Sequence, residues 1–577
     1  MSAVSCVRSI AGMSAVSCVR HHRQHAREAP GEKGTGMKLL FNADFVPMTY
    51  EDAHFEALVI DDEGTIAFTG DLDRARARYA GAEEIDLGGK TVTPGFIDPH
   101  SHFMMTAQNF TNADLTGAAS IAEVQQRLRD FIEKRGVTAE GVVQGNGYDH
   151  NAFVEGRHPS RQELDEVSRK IPIIVNHASG HVGAANTRAL ELAGVDASFA
   201  DPDGGKFLRE ADGTPSGPWE ELPAIAILED KVIEPREHVD YFAIVDDMQD
   251  LYFSHGVTTC QDGATMDPFT DALISLAEAD RIKLDVVSYP MDGFGGTAQE
   301  IIDKHASYDG RAYHHHVRFG GHKQVLDGSP QGRTAWMSKP YEVVSEGDDP
   351  AYCAYPAMDD EVVYANCRAA IDTNHQILTH CNGDAAADQL LRCYERALAD
   401  SNNPNKMNLR PVMIHCQTAR RDQYEKMAQL KMIPSIFASH IWFWGDVHQR
   451  NFGPERGPRI SAAHDAMDMG LVFNFHTDTP IIPCDLLRGV WCAVNRVTKG
   501  GVQLDRSQCI DAFNAMRGIT INAAYEYFEE DRKGTLEPGK LADLAVLDAN
   551  PLKVDPMKIC DIEVLETIKE GETVWVR

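Results

Sequence analysis

The chain has 577 residues, of which 43% are hydrophobic and 25% are charged, a composition typical of a globular protein with a large core. Asp and Glu outnumber Lys and Arg by 87 to 55, giving a formal net charge of −32 at pH 7, which argues against nucleic acid or an anionic membrane surface as a partner. The twelve cysteines include no CxxC pair and no stretch approaches a membrane span, so we expect reduced thiols in the cytoplasm.

The amino-terminal 36 residues are expected to lie outside the folded protein. The octapeptide MSAVSCVR occurs at residues 1–8 and again at residues 13–20, and arginines interrupt the apolar core that a secretory signal needs. We predict a disordered extension over residues 1–36, with an over-long start or an organelle transit peptide as alternatives. The folded chain is expected to begin near Met37.

Both ends of the remaining chain carry the pattern of short strands and turns. KLLFNADFVPM and FEALVIDDEGTIAFTGD follow Met37, and KGTLEPGKLADLAVLDANPL and TIKEGETVWVR lie near the carboxyl end. We predict that residues 37–92 and 532–577 form one small, discontinuous β-sandwich domain.

The middle of the chain alternates short apolar runs with longer segments of helical period, which indicates parallel strands connected by helices. Eight such runs occur, at residues 91–102, 256–263, 282–291, 317–328, 376–384, 410–416, 432–440 and 471–478. The count predicts that residues 93–531 have an α/β fold, the closed (β/α)8 TIM-type barrel. In that fold the functional residues lie where the strands end.

One connection is too long for an ordinary loop. Between the first and second runs the chain contains its own strand and helix patterns, including IPIIVNHASGHVGAANTRALELAGV. We predict an inserted α/β subdomain over about 110–250 and expect it to cover the mouth of the barrel.

Candidate metal ligands end several of the strands. His100 and His102 are two residues apart, so on a strand they would share one face and hold one cation. Imidazole or carboxylate groups end three other runs and an amine belongs to a fourth, and nitrogen and oxygen donors suit zinc and neighbouring metals. These further residues are Lys323, His380, His415 and Asp478.

This order of HxH, Lys, His, His and Asp on the first, fourth, fifth, sixth and eighth strands resembles the amidohydrolase superfamily of metal-dependent hydrolases. HASGHVGAANTRALELAGV, HKQVLDGSPQGRTA, THCNGDAAAD, FHTDTPIIPCDLLRGVWCAVNRVT and RKGTLEPGKLADLAVLD resemble its amidohydrolase family 3, or YtcJ-like, branch. The resemblance covers the chain from Met37 to its end. His476-Thr477 departs from the branch, in which Gly-Ser is usual before the aspartate.

The resemblance implies roles for the strand-end residues. Asp478 would contact a first metal and the reacting water, and Lys323 would bridge two metals after carboxylation of its amine, because a carbamate supplies two anionic oxygens. Zinc is the expected metal, and the number of ions stays open, since an unmodified Lys323 gives a one-metal site. The first metal would be bound by His100 and His102, and the second by His380 and His415.

A metal ion makes hydroxide available near neutral pH, and Asp478 is placed to take a proton from water and return it to a departing nitrogen. We therefore predict an amidohydrolase that acts on carbon–nitrogen bonds other than peptide bonds in a small amide-like molecule. The resemblance suggests N-acyl, N-formyl or cyclic amides. Two alternatives stay open: a deaminase of an aminated heterocycle on the same site, and a non-catalytic regulatory or binding protein.

Five further residues are candidates for substrate contact: His181, Tyr148, Trp219, Asp327 and His440. Each has a structural alternative, such as a helix cap or packing role for His181, core packing for the two aromatic residues and loop orientation for Asp327. The expected partner is a small molecule, and a homodimer is a further expectation.

Overall fold

The computed structural model describes residues 36–150, 152–177, 182–202, 205–220, 222–233, 239–292, 296–342 and 349–577. These residues form two compact units, a smaller one within 106–244 and a larger one comprising 36–105 and 245–577. In this described part of the chain, no helix combines the length and apolarity needed to cross a membrane.

Two sheets of the larger unit are built from the ends of the chain. One sheet contains Ala57–Ile60 between Ile66–Gly70 and Lys38–Phe41, with Glu83–Asp86 at its edge. The other sheet contains, in spatial order, Asp44–Phe45, Thr91–Pro94, Leu544–Leu547, Val564–Lys569 and Glu572–Val576. Apolar side chains from both sheets share one core, so the two ends of the chain pack together.

Eight parallel strands follow the order expected from the sequence. They are Phe96–Ile97, Val257–Thr265, Asp285–Pro290, Val317–Phe319 continued by Gly321–Val325, Gln376–Cys381, Val412–His415, Ile433–Ile436 and Asn474–Phe475. We call them the first to eighth parallel strands. Each pairs with its successor in parallel register.

The fourth parallel strand belongs to two sheets, because it is interrupted at Gly320. Val317–Phe319 is the edge of a four-stranded sheet, and Gly321–Val325 is the edge of a five-stranded sheet. A Cβ atom at Gly320 would lie 2.1 Å from the ring of Tyr289, so a side chain does not fit at this break. Among the described residues, no strand pair joins the first and eighth strands, and the closed barrel predicted from the sequence is not seen as one continuous sheet.

Most helices of the larger unit follow a parallel strand, whereas Leu72–Arg78 packs on the sheet that contains Ala57–Ile60. Asp384–Asp400, for example, follows the fifth strand and buries Leu390, Leu391 and Tyr394. The helices are Leu72–Arg78, Asp267–Glu278, Ala298–Lys304, Asp360–Asp372, Asp384–Asp400, Arg421–Leu430, His440–Arg456, Ala463–Asp468, Leu486–Asn495, Ala512–Gly518 and Ile521–Glu526, and Tyr241–Phe253 links the two units in sequence.

The smaller unit has its own mixed sheet of six strands. In spatial order they are Lys206–Arg209, Pro215–Glu220, Val182–Ala185, Ile173–His177, Val143–Tyr148 and Ala113–Asp114. Ile173–His177, Val143–Tyr148 and Ala113–Asp114 run parallel. The helices are Gln108–Thr111, Ile121–Arg135, Arg161–Asp165, Thr187–Ala193 and Leu222–Leu228. Apolar side chains of the sheet and these helices form two cores.

Candidate metal centre

Two histidines and one carboxylate converge beyond the ends of the first and eighth parallel strands. Asp478 Oδ1 lies 3.1 Å from His102 Nε2 and 3.4 Å from His100 Nε2. The three residues offer ligand atoms that all lie within 4.8 Å of one another. Ligands of a tetrahedral zinc ion are separated by roughly 3.2–3.6 Å, given metal–ligand distances near 2.0–2.2 Å, so the separations of 3.1 and 3.4 Å are close to those around a bound ion.

The two histidines do not lie on a regular strand, which corrects the argument from strand alternation. The first parallel strand ends at Ile97, and the chain bends before His100 and His102. Backbone hydrogen bonds hold this segment against the segment beyond the eighth strand: the Asp478 N–H donates to the His100 carbonyl at 2.9 Å, and the His102 N–H donates to the Thr479 carbonyl at 2.8 Å. Convergence therefore depends on tertiary hydrogen bonds between two distant segments.

Two of the candidate ligands have left-handed backbone conformations. The φ angle is 60° at Asp478 and 71° at His415, and such a conformation costs a residue with a Cβ atom about 1–2 kcal/mol. Strained residues of this kind concentrate at functional sites, where the surrounding structure holds them in place. The strain is consistent with a functional demand on the direction of these two side chains.

Gln261 of the second strand orients His100. His100 Nδ1 lies 2.6 Å from Gln261 Oε1, and Gln261 Nε2 donates to the Pro99 carbonyl at 2.6 Å. A Cβ atom at Gly263 would lie 2.5 Å from the His100 ring, so the glycine makes room for the imidazole. Because Nδ1 is occupied, Nε2 is the nitrogen that faces Asp478, as in metal sites where a second residue fixes the tautomer of a histidine ligand.

The amine of Lys323 points into the same cluster from the fourth strand. Its Nζ lies 3.4 Å from His100 Nε2, which is its only hydrogen-bond contact within the described ranges. The side chain is buried, and burial lowers the pKa of Lys323 to about 7. A charged amine is costly to bury when no carboxylate bonds to it directly, so burial favours the neutral form of Lys323.

Three more imidazoles continue the cluster. His415 Nε2 lies 3.0 Å from His380 Nδ1, and His415 Nδ1 lies 3.1 Å from His476 Nε2. Ser435 Oγ lies 2.8 Å from the other nitrogen of His476. Burial lowers the pKa of His380 to about 4 and that of His476 to about 3, so both rings are neutral at pH 7, the form in which histidine binds metal.

The donor set fits a divalent metal of the zinc type. Imidazoles and one carboxylate converge in this site, and such nitrogen and oxygen ligands are those that zinc, cobalt, nickel and copper accept. Burial lowers the pKa values of His100 and His415 well below the usual range, which keeps these rings free of protons that would compete with a metal.

Comparisons with known proteins agree with this geometry. The profile of the amidohydrolase family matches residues 83–575. The chain belongs to the amidohydrolase family. YtcJ of Bacillus subtilis (strain 168) is 25% identical over 562 residues, which cover 93% of this chain and 99% of that protein. An N-substituted formamide deformylase of Arthrobacter pascens is 26% identical over 556 residues, covering 92% of this chain and 97% of the enzyme.

A solved structure shows the same relationship. The crystal structure of an uncharacterized metal-dependent hydrolase from Pyrococcus horikoshii matches with a TM-score of 0.70 and 27% sequence identity, covering 90% of this chain and 99% of that chain. The family relationship supports a metal-dependent amidohydrolase with a TIM-barrel-like α/β fold. The family resemblance inferred from the sequence is thereby confirmed.

Two predicted substrate-contact residues lie close to the histidine cluster of this amidohydrolase. Asp327 is buried, and its carboxylate accepts hydrogen bonds from the backbone N–H groups of Trp336, Asn382 and Gly383 at 3.0, 2.9 and 2.7 Å. These bonds connect the segment that follows the fourth strand to the segment that follows the fifth. Asp327 is thus engaged as a loop anchor, and burial raises its pKa to about 7.

His440 begins the helix after the seventh strand and is buried. Its Nδ1 lies 3.0 Å from His448 Nε2, and its ring lies 4.4 Å from that of Phe437. The Phe437 ring in turn lies 4.9 Å from the His476 ring and 5.6 Å from the ring of the candidate ligand His415, so His440 and His415 contact the same aromatic side chain. A direct substrate contact by His440 stays a prediction.

Tyr148 and Trp219 belong to the smaller unit. Trp219 is 1% exposed within one hydrophobic core of that unit and Tyr148 is fully buried in the other, as the core-packing alternative expects. A substrate contact by either aromatic side chain stays a prediction. His181 lies outside the described residues.

The structure adds residues that the sequence prediction did not include. These are Gln261 and Asp98, and the signal in the sequence is a polar side chain within an apolar run. Asp98 accepts a hydrogen bond from Thr477 Oγ1 and one from the Thr477 N–H at 3.2 Å, which fixes the segment just before Asp478. His476 is visible in the sequence only as a departure from the branch pattern, and its two-residue spacing from Asp478 is the available signal.

Proposed function

We propose that this protein hydrolyses a carbon–nitrogen bond of a small amide-like molecule of the N-formyl, N-acyl or cyclic amide class. The observation that carries the proposal is the convergence of His100, His102 and Asp478 with the amine of Lys323 in a member of the amidohydrolase family. Similarity to an N-substituted formamide deformylase over nearly the whole of both chains favours amide-type substrates.

The residues proposed to hold the metal fall into two groups. His100, His102 and Asp478 would bind a first zinc ion, and His380 with His415 would bind a second. Carboxylated Lys323 would supply anionic oxygens to both, which also accounts for a buried amine without a carboxylate partner. When bound, the metal supplies Lewis acidity that acidifies water and polarises a carbonyl group.

Asp478 is the proposed proton carrier. Its Oδ1 faces the two imidazoles, and the left-handed backbone at Asp478 directs the carboxylate toward them. Asp478 takes a proton from the attacking water and delivers it to the departing nitrogen, which allows the C–N bond to break without expelling an amide anion. Gln261 keeps His100 oriented, and Asp98 with Thr477 keeps the segment carrying Asp478 in place during this transfer.

The proposed architecture extends the observed sheets. Closure of the eight parallel strands into a barrel is supported by the backbone hydrogen bonds between the segments of His100 and Asp478. We propose that residues 37–92 and 532–577 form one discontinuous β-sandwich domain and that residues 93–531 form the barrel. The insertion would occupy about 110–250.

The first test is the metal content of the purified protein together with a substrate panel. N-formyl amines, N-acyl amino acids, cyclic amides and aminated heterocycles are incubated with the protein, and released amine, acid and ammonia are measured. Release of amine and acid supports the proposal. Ammonia as the only nitrogen product supports deamination instead, and an absence of metal and of turnover supports a binding protein.

The matched variant test uses two lysines. Lys323→Ala is expected to lose bound metal and turnover, whereas Lys339→Ala, at an exposed position, is expected to retain both. A carbamate on Lys323 is checked by 13C NMR after incubation with 13C-labelled bicarbonate, with Lys323→Ala as the blank. Unchanged metal content in Lys323→Ala would refute a ligand role for this residue.

A further inference from the structure

The smaller unit contains a second cluster of metal-ligating side chains, formed by Asp149, His150 and His177. His150 Nδ1 lies 3.2 Å from His177 Nε2, and His177 Nε2 lies 3.2 Å from Asp149 Oδ1. All three ligand atoms lie within 4.8 Å of one another. None of these residues is used in the proposed hydrolysis.

The cluster forms where two neighbouring parallel strands end. Val143–Tyr148 and Ile173–His177 run parallel, and a register shift pairs Tyr148 with His177. Asp149 and His150 come directly after the first of these strands, and His177 is the last residue of the second. The carboxyl ends of parallel strands meet at one sheet edge, so the topology of the smaller unit brings the three side chains together.

Neighbouring side chains support the arrangement. The His158 ring lies 4.1 Å from the His150 ring, and His158 Nδ1 lies 2.8 Å from the hydroxyl of buried Tyr148. Tyr148 also contacts the His177 ring edge-to-face at 5.3 Å. These contacts limit the rotation of the imidazoles, as side chains around a metal site commonly do.

We propose that Asp149, His150 and His177 bind a divalent transition-metal ion of the zinc type. The separations of 3.2 Å match those of 3.1 and 3.4 Å at the first centre and agree with roughly 3.2–3.6 Å between the ligands of a tetrahedral ion. Two imidazoles with one carboxylate suit zinc, cobalt, nickel or copper better than magnesium or calcium, which prefer oxygen ligands.

The site is accessible to an ion from solvent. The Asp149 side chain is 49% exposed, whereas the His177 side chain is 11% exposed. Three protein ligands leave a fourth tetrahedral position for water or another ligand. The competing explanation is a chain of hydrogen bonds in which His177 Nε2 donates to one neighbour, and this explanation predicts no tight metal binding.

The experiment measures zinc equivalents in the full-length protein after chelation, reloading with zinc and desalting. His150→Ala and His177→Ala are each expected to lose one equivalent that the native protein retains. His102→Ala is expected to lose metal from the first centre while retaining this equivalent, which separates the present proposal from the proposed hydrolysis. His54→Ala is the control, because His54 is exposed and lies outside every candidate metal cluster of the described residues.

Two further measurements distinguish loss of the site from misfolding. Circular dichroism shows whether each variant is folded. Asp149→Asn is a milder change at a half-exposed side chain, and we expect it to lower zinc affinity at least tenfold. Cobalt loading gives an independent signal, because the visible absorption contributed by this site should disappear in His177→Ala. Unchanged zinc stoichiometry and affinity in folded His150→Ala and His177→Ala, or binding only at millimolar zinc, would overturn the proposal.

Discussion

Replacement of Asp478 by asparagine separates metal binding from proton transfer. Asparagine keeps an oxygen at the position of Oδ1, which lies 3.1 and 3.4 Å from the two imidazole nitrogens, but it cannot accept the proton of water. Positioned acid–base groups contribute about 10²–10⁴-fold to rate, which corresponds to roughly 3–5 kcal/mol of barrier. We therefore expect kcat of Asp478→Asn to fall by about 10²–10⁴ when the protein is saturated with metal.

The assay compares turnover of the best substrate from the panel at increasing metal concentrations. Loss of the negative charge is also expected to weaken metal affinity, so turnover is read at the plateau of the metal titration, where occupancy no longer limits the rate. Asp531→Asn, at an exposed position, serves as the control and should behave as the native enzyme. Near-native turnover of fully loaded Asp478→Asn would remove this residue from the proton-transfer step.

His476→Ala is expected to lower metal affinity about 10–100-fold, because His415 loses the imidazole that orients its Nδ1; a metal titration of the variant checks this, and unchanged affinity would contradict it. Burial raises the pKa of Glu526 to about 8, so the folded state retains a proton that the unfolded state releases above about pH 4.5, and stability falls as pH rises from about 4.5 to 8. Glu526→Gln, which keeps an acceptor for Asn474, should therefore melt higher than the native protein at pH 8, with little difference at pH 4.5; equal melting temperatures at both pH values would refute this. Removal of residues 1–36 should leave melting temperature and activity unchanged, since the first strand begins at Lys38, and a large fall in melting temperature would show that the segment packs.

The order of the strands could be predicted from the sequence because strand and helix patterns are local. Each of the eight apolar runs contains a parallel strand or most of one, and both chain ends contribute strands to sheets. Their grouping into one discontinuous β-sandwich domain stays a prediction. The interruption at Gly320 could not be predicted, since it depends on the approach of Tyr289 from the neighbouring strand.

The candidate ligands were recognisable because each lies at or just beyond the end of an apolar run, which is the position where parallel strands expose side chains. The convergence of His100 and His102 with Asp478 does not arise from the strand alternation that the sequence predicts. His100 and His102 meet Asp478 through backbone hydrogen bonds across more than 370 residues of sequence, and not through strand alternation.

The sequence by itself determined which residue types are available, the order of the strands that carry them and the family to which the chain belongs. Only the tertiary structure decided which nitrogen of His100 faces the carboxylate, which imidazole supports His415 and that Asp149, His150 and His177 meet at a second sheet edge. The physical reason is the separation in sequence of the residues involved. Hydrophobic periodicity depends on neighbouring residues, whereas side-chain orientation is fixed by packing and hydrogen bonds from segments that are distant in the chain.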